Sequence, residues 1–232
     1  MTSEIIFNRP PRNLQLADGA VHVFCAALDP SPSRLEYFET ILSADERARA
    51  ARFVFAQDRN RFLAGRGMLR EILGRLLHAD PAQPVFAYGQ HGKPRLAGPV
   101  DGRFLHFNLA HSDALAIYIV SGQGSVGIDV ERVRPVREAE AIMSQFFSAR
   151  ENAEWRALPP ARRMEAFFAY WIRKEALLKA GGGSLAARSG SVLADSIHSG
   201  FSLHLLTPVV GYQAAAAIKG AGAPHCWGWP AR

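Results

Sequence analysis

The sequence predicts an α/β (α+β) protein in which one small fold occurs twice, related by a pseudo-two-fold. Three observations carry this prediction. The chain has 232 residues, 48% of them hydrophobic and 21% charged, enough apolar side chain to bury a sizeable core in one large domain or two small ones. Strand-like and helix-like stretches recur in the same order roughly a hundred residues apart, the mark of internal duplication. Return strands follow each long helix, so each half should carry a small, mainly antiparallel sheet.

Val21–Ala27 opens the first copy as a strand, and Ser125–Glu131 matches it 104 residues later. Ser43-Ala-Asp-Glu46 and Ser148-Ala-Arg-Glu151, 105 residues apart, both read as capping boxes, each Ser accepting from the backbone while the Glu reaches back. A long helix over 58–77 places Phe62, Gly65, Leu69, Ile72, Leu73 and Leu76 on one buried face. Its Arg70-Glu71 finds a counterpart in Lys174-Glu175, 104 residues on, within a helix over 162–180. The closing strands correspond at an offset of 98: Leu105-His106 with Leu203-His204, and 114–122 with 212–220. The halves are therefore expected at 1–122 and 123–232. This alignment sets Asp129 and Glu131 opposite Cys25 and Ala27, so the acidic chemistry belongs to one copy and function to the cleft between the two.

Composition narrows the partners. The formal charge is +6, and from Arg47 to Arg75 there are eight Arg against Asp58 and Glu71, which suits an anionic ligand. Two cysteines make neither a disulfide framework nor a zinc site. Residues 1–13 have no apolar core of a signal peptide. The longest apolar run, Ala114 to Val120, is far too short to cross a bilayer. A cytoplasmic protein without a membrane partner is the expectation.

Gly122-Gln-Gly-Ser-Val-Gly127 matches the dinucleotide fingerprint GxGxxG, but a strand follows where a helix N-terminus is needed to hold pyrophosphate. It reads as the turn between the halves. In Gly127-Ile-Asp129-Val-Glu131, residues i and i+2 of a strand face the same way, so two carboxylates project together. They repel unless one is protonated or a cation lies between them, and a hard divalent ion suits them. A solvated strand end with Glu131 paired to Arg132 or Arg134 explains the pair alone at least as well. On the second long helix Trp171, Glu175 and Lys179 share one broad face. An ordinary Glu–Lys helix pair beside a core Trp accounts for them equally. Lys93, in the turn Gly92-Lys-Pro94, and His111-Ser112 at a strand end have groups that donate to phosphate oxygens. Gly181-Gly-Gly-Ser184 ends the helix as a cap and lacks a P-loop's closing Lys and hydroxyl.

In this order and spacing these residues resemble the Sfp-type 4′-phosphopantetheinyl transferases. The likeness rests on Gly92-Lys-Pro94, Phe107-Asn-Leu-Ala-His-Ser112, Gly127-Ile-Asp-Val-Glu131, Phe146-Phe-Ser148, and Trp171-Ile-Arg-Lys-Glu-Ala176 with Lys179, and extends over about 43–185. The resemblance implies transfer of phosphopantetheine from coenzyme A to a serine of an apo acyl or peptidyl carrier protein, releasing 3′,5′-ADP. It implies Mg2+, with Mn2+ as a substitute, held by Asp129, Glu131 and Glu175. Glu175 is also the implied base, and Lys179 and Lys174 are placed near the pyrophosphate. Lys93, His111 and Ser112 match positions on the coenzyme A phosphates, and Arg49 and Arg61 fall near its 3′-phosphate. Ala110 departs from the family's Ser-His-Ser. A monomer suffices, because one chain supplies both sides of the cleft. The alternative is a module that binds RNA or another polyanion, or coenzyme A, without turnover; no RNA-binding motif occurs in its expected context, so no nucleic-acid partner is expected.

Overall fold

The computed structural model describes residues 7–17, 19–89, 92–100, 102–183, 200–220 and 222–230. The first half runs β1 (Val21–Ala27), α1 (Pro32–Ile41), α2 (Ala44–Ala50), α3 (Ala56–Leu77), β2 (Phe86–Tyr88), β3 (Pro94–Leu96), β4 (His106–Ser112) and β5 (Leu115–Ser121). The second runs β6 (Val126–Arg132), α4 (Ala139–Phe146), α5 (Ala149–Ala157), α6 (Pro160–Ala180), β7 (Phe201–Leu206), β8 (Tyr212–Lys219) and β9 (His225–Gly228).

The repeat is visible in the pairing. One sheet has the order β4-β5-β1 and the other β7-β8-β6, all antiparallel. Both capping boxes form at the starts of α2 and α5. The C-terminal β9 leaves its own half and joins β1 in parallel, as a fourth strand on the first sheet. A short strand pairing with one two hundred residues earlier leaves no local signal in the sequence. The 122–125 segment is a turn between β5 and β6, as its glycines suggest.

The two sheets share a core: β6 lies against β4 and β5, and Val126, Ile128 and Val130 of β6 belong to the same buried cluster as Ile117 and Ile119 of β5 and Val21, Val23 and Cys25 of β1. The opposite face of each sheet is covered by its own long helix. Phe24 and Ala26 pack with Leu69, Ile72 and Leu73 of α3. Across the second sheet, Ala176 and Ala180 of α6 pack with Ala215 and Ala217 of β8. The faces of the strands correct the alignment of the copies by one residue: Cys25 shares the inter-sheet cluster with Ile128 and Val130, so Asp129 and Glu131 fall on the face that Phe24 and Ala26 occupy in the first copy. A strand alternates faces, so a one-residue slip is the difference between the inter-sheet core and the face under the helix.

Gly127 lets α6 come down onto β6. A Cβ at this position would stand 2.0 Å from the Ala176 carbonyl oxygen and 2.4 Å from the Ala180 nitrogen, a distance only glycine tolerates. The close approach brings Glu175 and Lys179 of α6 over the carboxylates of β6.

Candidate active site

A cleft of about 610 Å³ lies between the halves. The end of α2 contributes Arg49, and α3 contributes Arg61 and Arg66. The turn before β3 contributes Lys93, the end of β4 His111, and the last turn of α6 Lys179. Five residues singled out in the sequence, Arg49, Arg61, Lys93, His111 and Lys179, thus line one cavity. Asp58 and Asp113 also line it, but the balance is positive. The crowding of cations shows in their ionisation. Burial, with Lys179 adding to it, pushes the Lys93 ammonium down to about 8. Burial and the charges of Lys179 and Arg61 hold His111 below its ordinary value, so its imidazole favours the neutral form. Lys93 Nζ donates to the Lys179 backbone carbonyl, tying the first half to the C-terminus of α6.

Lys179 connects this cleft to the acidic side. Its Nζ donates to Asp129 Oδ1 at 2.6 Å. Asp129 is only 5% exposed, and its second oxygen, Oδ2, is buried without a hydrogen-bond partner. Burial, with the charges of Glu131 and Glu175 adding to it, raises its carboxyl to about 7 against the opposing pull of Lys179. An unpartnered buried carboxylate oxygen is costly unless a donor or cation meets it. Glu131 is not a solvated strand end: Ser112 Oγ donates to its Oε2 at 2.8 Å, and burial raises its carboxyl as well. Arg132 and Arg134 turn to Asp113 instead, at 3.0 and 3.9 Å. Glu175 is buried on α6.

As they stand, no three His, Cys, Asp or Glu side chains among the described residues are gathered closely enough to hold a metal ion. The Lys179 ammonium serves as counter-ion to Asp129. The donor set nevertheless fits a hard divalent cation: hard carboxylate oxygens, one of them buried and unsatisfied.

One sequence expectation is corrected. Lys174 does not reach the cleft. Its Nζ donates to the Phe146 carbonyl at 2.9 Å and to Glu151 at 3.2 Å, and lies over the Phe147 ring. Neighbours in sequence on a helix point about 100° apart, so sharing a motif with Glu175 does not place Lys174 in the same site. Ser112 Oγ donates to Glu131 and accepts from the Arg132 N–H at 3.2 Å, so it faces β6 rather than the cleft. Gly181 caps α6 as expected and Gly182 takes the left-handed turn; Ser184 lies outside the described residues. Arg66 was missed. It is buried, lines the cleft and ion-pairs with Glu46 at 3.5 Å; nothing in the sequence separates it from the surface arginines around it.

Comparison with known proteins agrees with this architecture. Residues 26–123 match the family model described as 4′-phosphopantetheinyl transferase, N-terminal. Residues 125–206 match that of the 4′-phosphopantetheinyl transferase superfamily. The chain is 43% identical over 176 residues to the 4′-phosphopantetheinyl transferase HetI of a Nostoc species, covering 76% of this chain and 74% of that one. It is 38% identical over 126 residues to AcpT of Escherichia coli, a 4′-phosphopantetheinyl transferase, covering 54% and 60%. A 4′-phosphopantetheinyl transferase of Bacillus subtilis is 30% identical over 145 residues, 62% of each chain; these last two are thus matched over less than two thirds of their length. The basic cleft, the carboxylates under α6 and these matches lead to one conclusion: the chain belongs to the 4′-phosphopantetheinyl transferase superfamily.

Proposed function

We propose that this transferase moves the 4′-phosphopantetheine group of coenzyme A to a serine of an apo acyl or peptidyl carrier protein, releasing 3′,5′-ADP, and that it depends on Mg2+ or Mn2+. The observation that carries this reading is the convergence of Arg49, Arg61, Lys93, His111 and Lys179 on one cleft, with Lys179 bonded to the buried Asp129.

The first half, 1–122, supplies positive charge. Arg49 and Arg61 hold the 3′-phosphate end of the cofactor, and Lys93 and His111 donate to its other phosphates. The second half, 123–232, supplies Asp129, Glu131 and Glu175, which would hold the divalent ion. Bound there, the ion neutralises charge on the pyrophosphate oxygens. Lys179 adds a fixed positive charge beside the 5′-phosphate of the leaving 3′,5′-ADP, where charge grows as the bond breaks. Glu175 accepts the proton of the carrier serine, whose oxygen attacks the β-phosphorus. The chain works as a cytoplasmic monomer: it contributes both walls of the cleft, and its two cysteines are free thiols.

The test is intact-protein mass spectrometry of an apo carrier protein incubated with the enzyme, coenzyme A and Mg2+. The expected result is a mass gain of one phosphopantetheine, absent without the metal. Protection of the enzyme by coenzyme A with no gain on any of several apo carriers would favour the binding-module alternative.

A further inference from the structure

Where the sheets meet, two strands from different halves run side by side: β4 at the edge of the first sheet and β6 at the edge of the second. Side chains of β4 bond the backbone of β6. Asn108 Oδ1 accepts from the Ile128 N–H at 2.9 Å, and Ser112 Oγ accepts from the Arg132 N–H at 3.2 Å. Acceptors 108 and 112 and donors 128 and 132 have the same spacing, so the two strands run parallel and in step. An edge strand leaves every second N–H unpaired by its own sheet, and here side chains of the other half satisfy those of Ile128 and Arg132. Asn108 and Ser112 are both buried. Ala110 lies between them on the same face and is buried in the inter-sheet core.

We infer that Ser112 is a positioning residue for Glu131. A single hydroxyl fixes the backbone at Arg132 and, through its proton, the Glu131 carboxylate. It thereby sets the acid of the second half in register with the basic cleft of the first. A glutamate has three rotatable bonds, and a carboxylate already held in place binds a cation with less ordering cost. The inference rests on the reading of Glu131 as a metal-holding carboxylate.

The experiment compares Ser112→Ala and Ser112→Thr with the parent chain. Three quantities are read: the Mn2+ concentration at half-maximal thermal stabilisation without coenzyme A, the KM for coenzyme A, and amide hydrogen exchange at Arg132. In Ser112→Ala the Mn2+ midpoint should rise about tenfold or more, Arg132 exchange should quicken, and the KM for coenzyme A should stay within about twofold. Ser112→Thr keeps the hydroxyl and should restore both altered readouts. If Ser112→Ala does not fold, Ser112→Cys, of similar size but a weak donor, should show the same two changes. A raised KM for coenzyme A with an unchanged Mn2+ midpoint would make Ser112 a phosphate contact and overturn the inference. Unchanged Arg132 exchange would overturn it too. Failure of the parent chain to modify any carrier, with the Mn2+ and exchange effects intact, would sink the proposed function and leave the positioning role standing.

Discussion

The two halves of the molecule use one scaffold for opposite purposes. In each, the Glu of a capping box reaches the third helix: Glu46 meets Arg70 at 2.7 Å, and Glu151 meets Lys174 at 3.2 Å. That device is structural and was kept in both copies. The strand position beneath the long helix was not kept. It is Phe24, fully buried, in the first half and Asp129 in the second. A phenylalanine there completes a core, whereas a carboxylate there costs burial energy and leaves Oδ2 unpaired. The difference teaches that one strand position can complete a core or hold a buried charge: the second copy has a carboxylate where the first has a packed ring, and the first has arginines along the cleft.

Paired substitutions at this position test the contrast most directly. Asp129→Asn keeps the shape and should lower transfer about a hundredfold or more, with little loss of stability. Phe24→Ala should instead cost about 3–5 kcal/mol of stability while the folded fraction keeps its activity. Urea unfolding and transfer assays on both variants check this. Asp129→Asn destabilising the chain like Phe24→Ala while sparing transfer would break the comparison.

The shared ion pair gives the next largest effect. Arg70 is buried and also donates to the carbonyls of Pro81, Ala82 and Pro84, so Arg70→Met should destabilise by about 3–5 kcal/mol. Lys174→Met should cost less, because Lys174 has fewer bonds and Glu151 is partly exposed. Its KM for coenzyme A should be unchanged. A weakened affinity for coenzyme A without a stability loss would return Lys174 to the site.

The smallest effect concerns Lys93. Its folded pKa is about 8 against an ordinary 10.5, so between those values the unfolded chain holds more protons than the folded one. This group's contribution to stability therefore rises with pH across the window and is least favourable below pH 8. A phosphate bound beside it reverses the shift, so binding coenzyme A near pH 8.5 should take up a proton, on the order of half to one per site. Calorimetry in two buffers of different ionisation enthalpy measures the uptake, and Lys93→Met should remove it. Equal heats in both buffers with the parent chain would place Lys93 away from the phosphates.

Much of this was legible in the residues. Offsets near a hundred residues exposed the duplication, because capping boxes and amphipathic helices are local patterns. The Asp129–Glu131 spacing put two acids on one face of a strand through its period of two. The fates of Lys174 and Ser112 were not legible. Both can donate to phosphate, and which partner each takes depends on elements distant in sequence: Glu151 on α5 for one, Glu131 on β6 for the other. Arg66 among eight arginines, and β9 crossing to β1, were hidden for the same reason.

The sequence by itself determined the two copies, their helices and turns, and the residue types able to bind phosphate and a divalent ion. Short-range periodicity and capping are enough to encode those. Only the tertiary structure decided that Arg49, Arg61, Lys93, His111 and Lys179 share a cleft and that Lys179 answers Asp129. It alone decided that Asp129 lies beneath α6 rather than between the sheets. These outcomes rest on a one-residue register and on a backbone approach that Gly127 permits, and both are settled by packing between segments that are far apart in the chain.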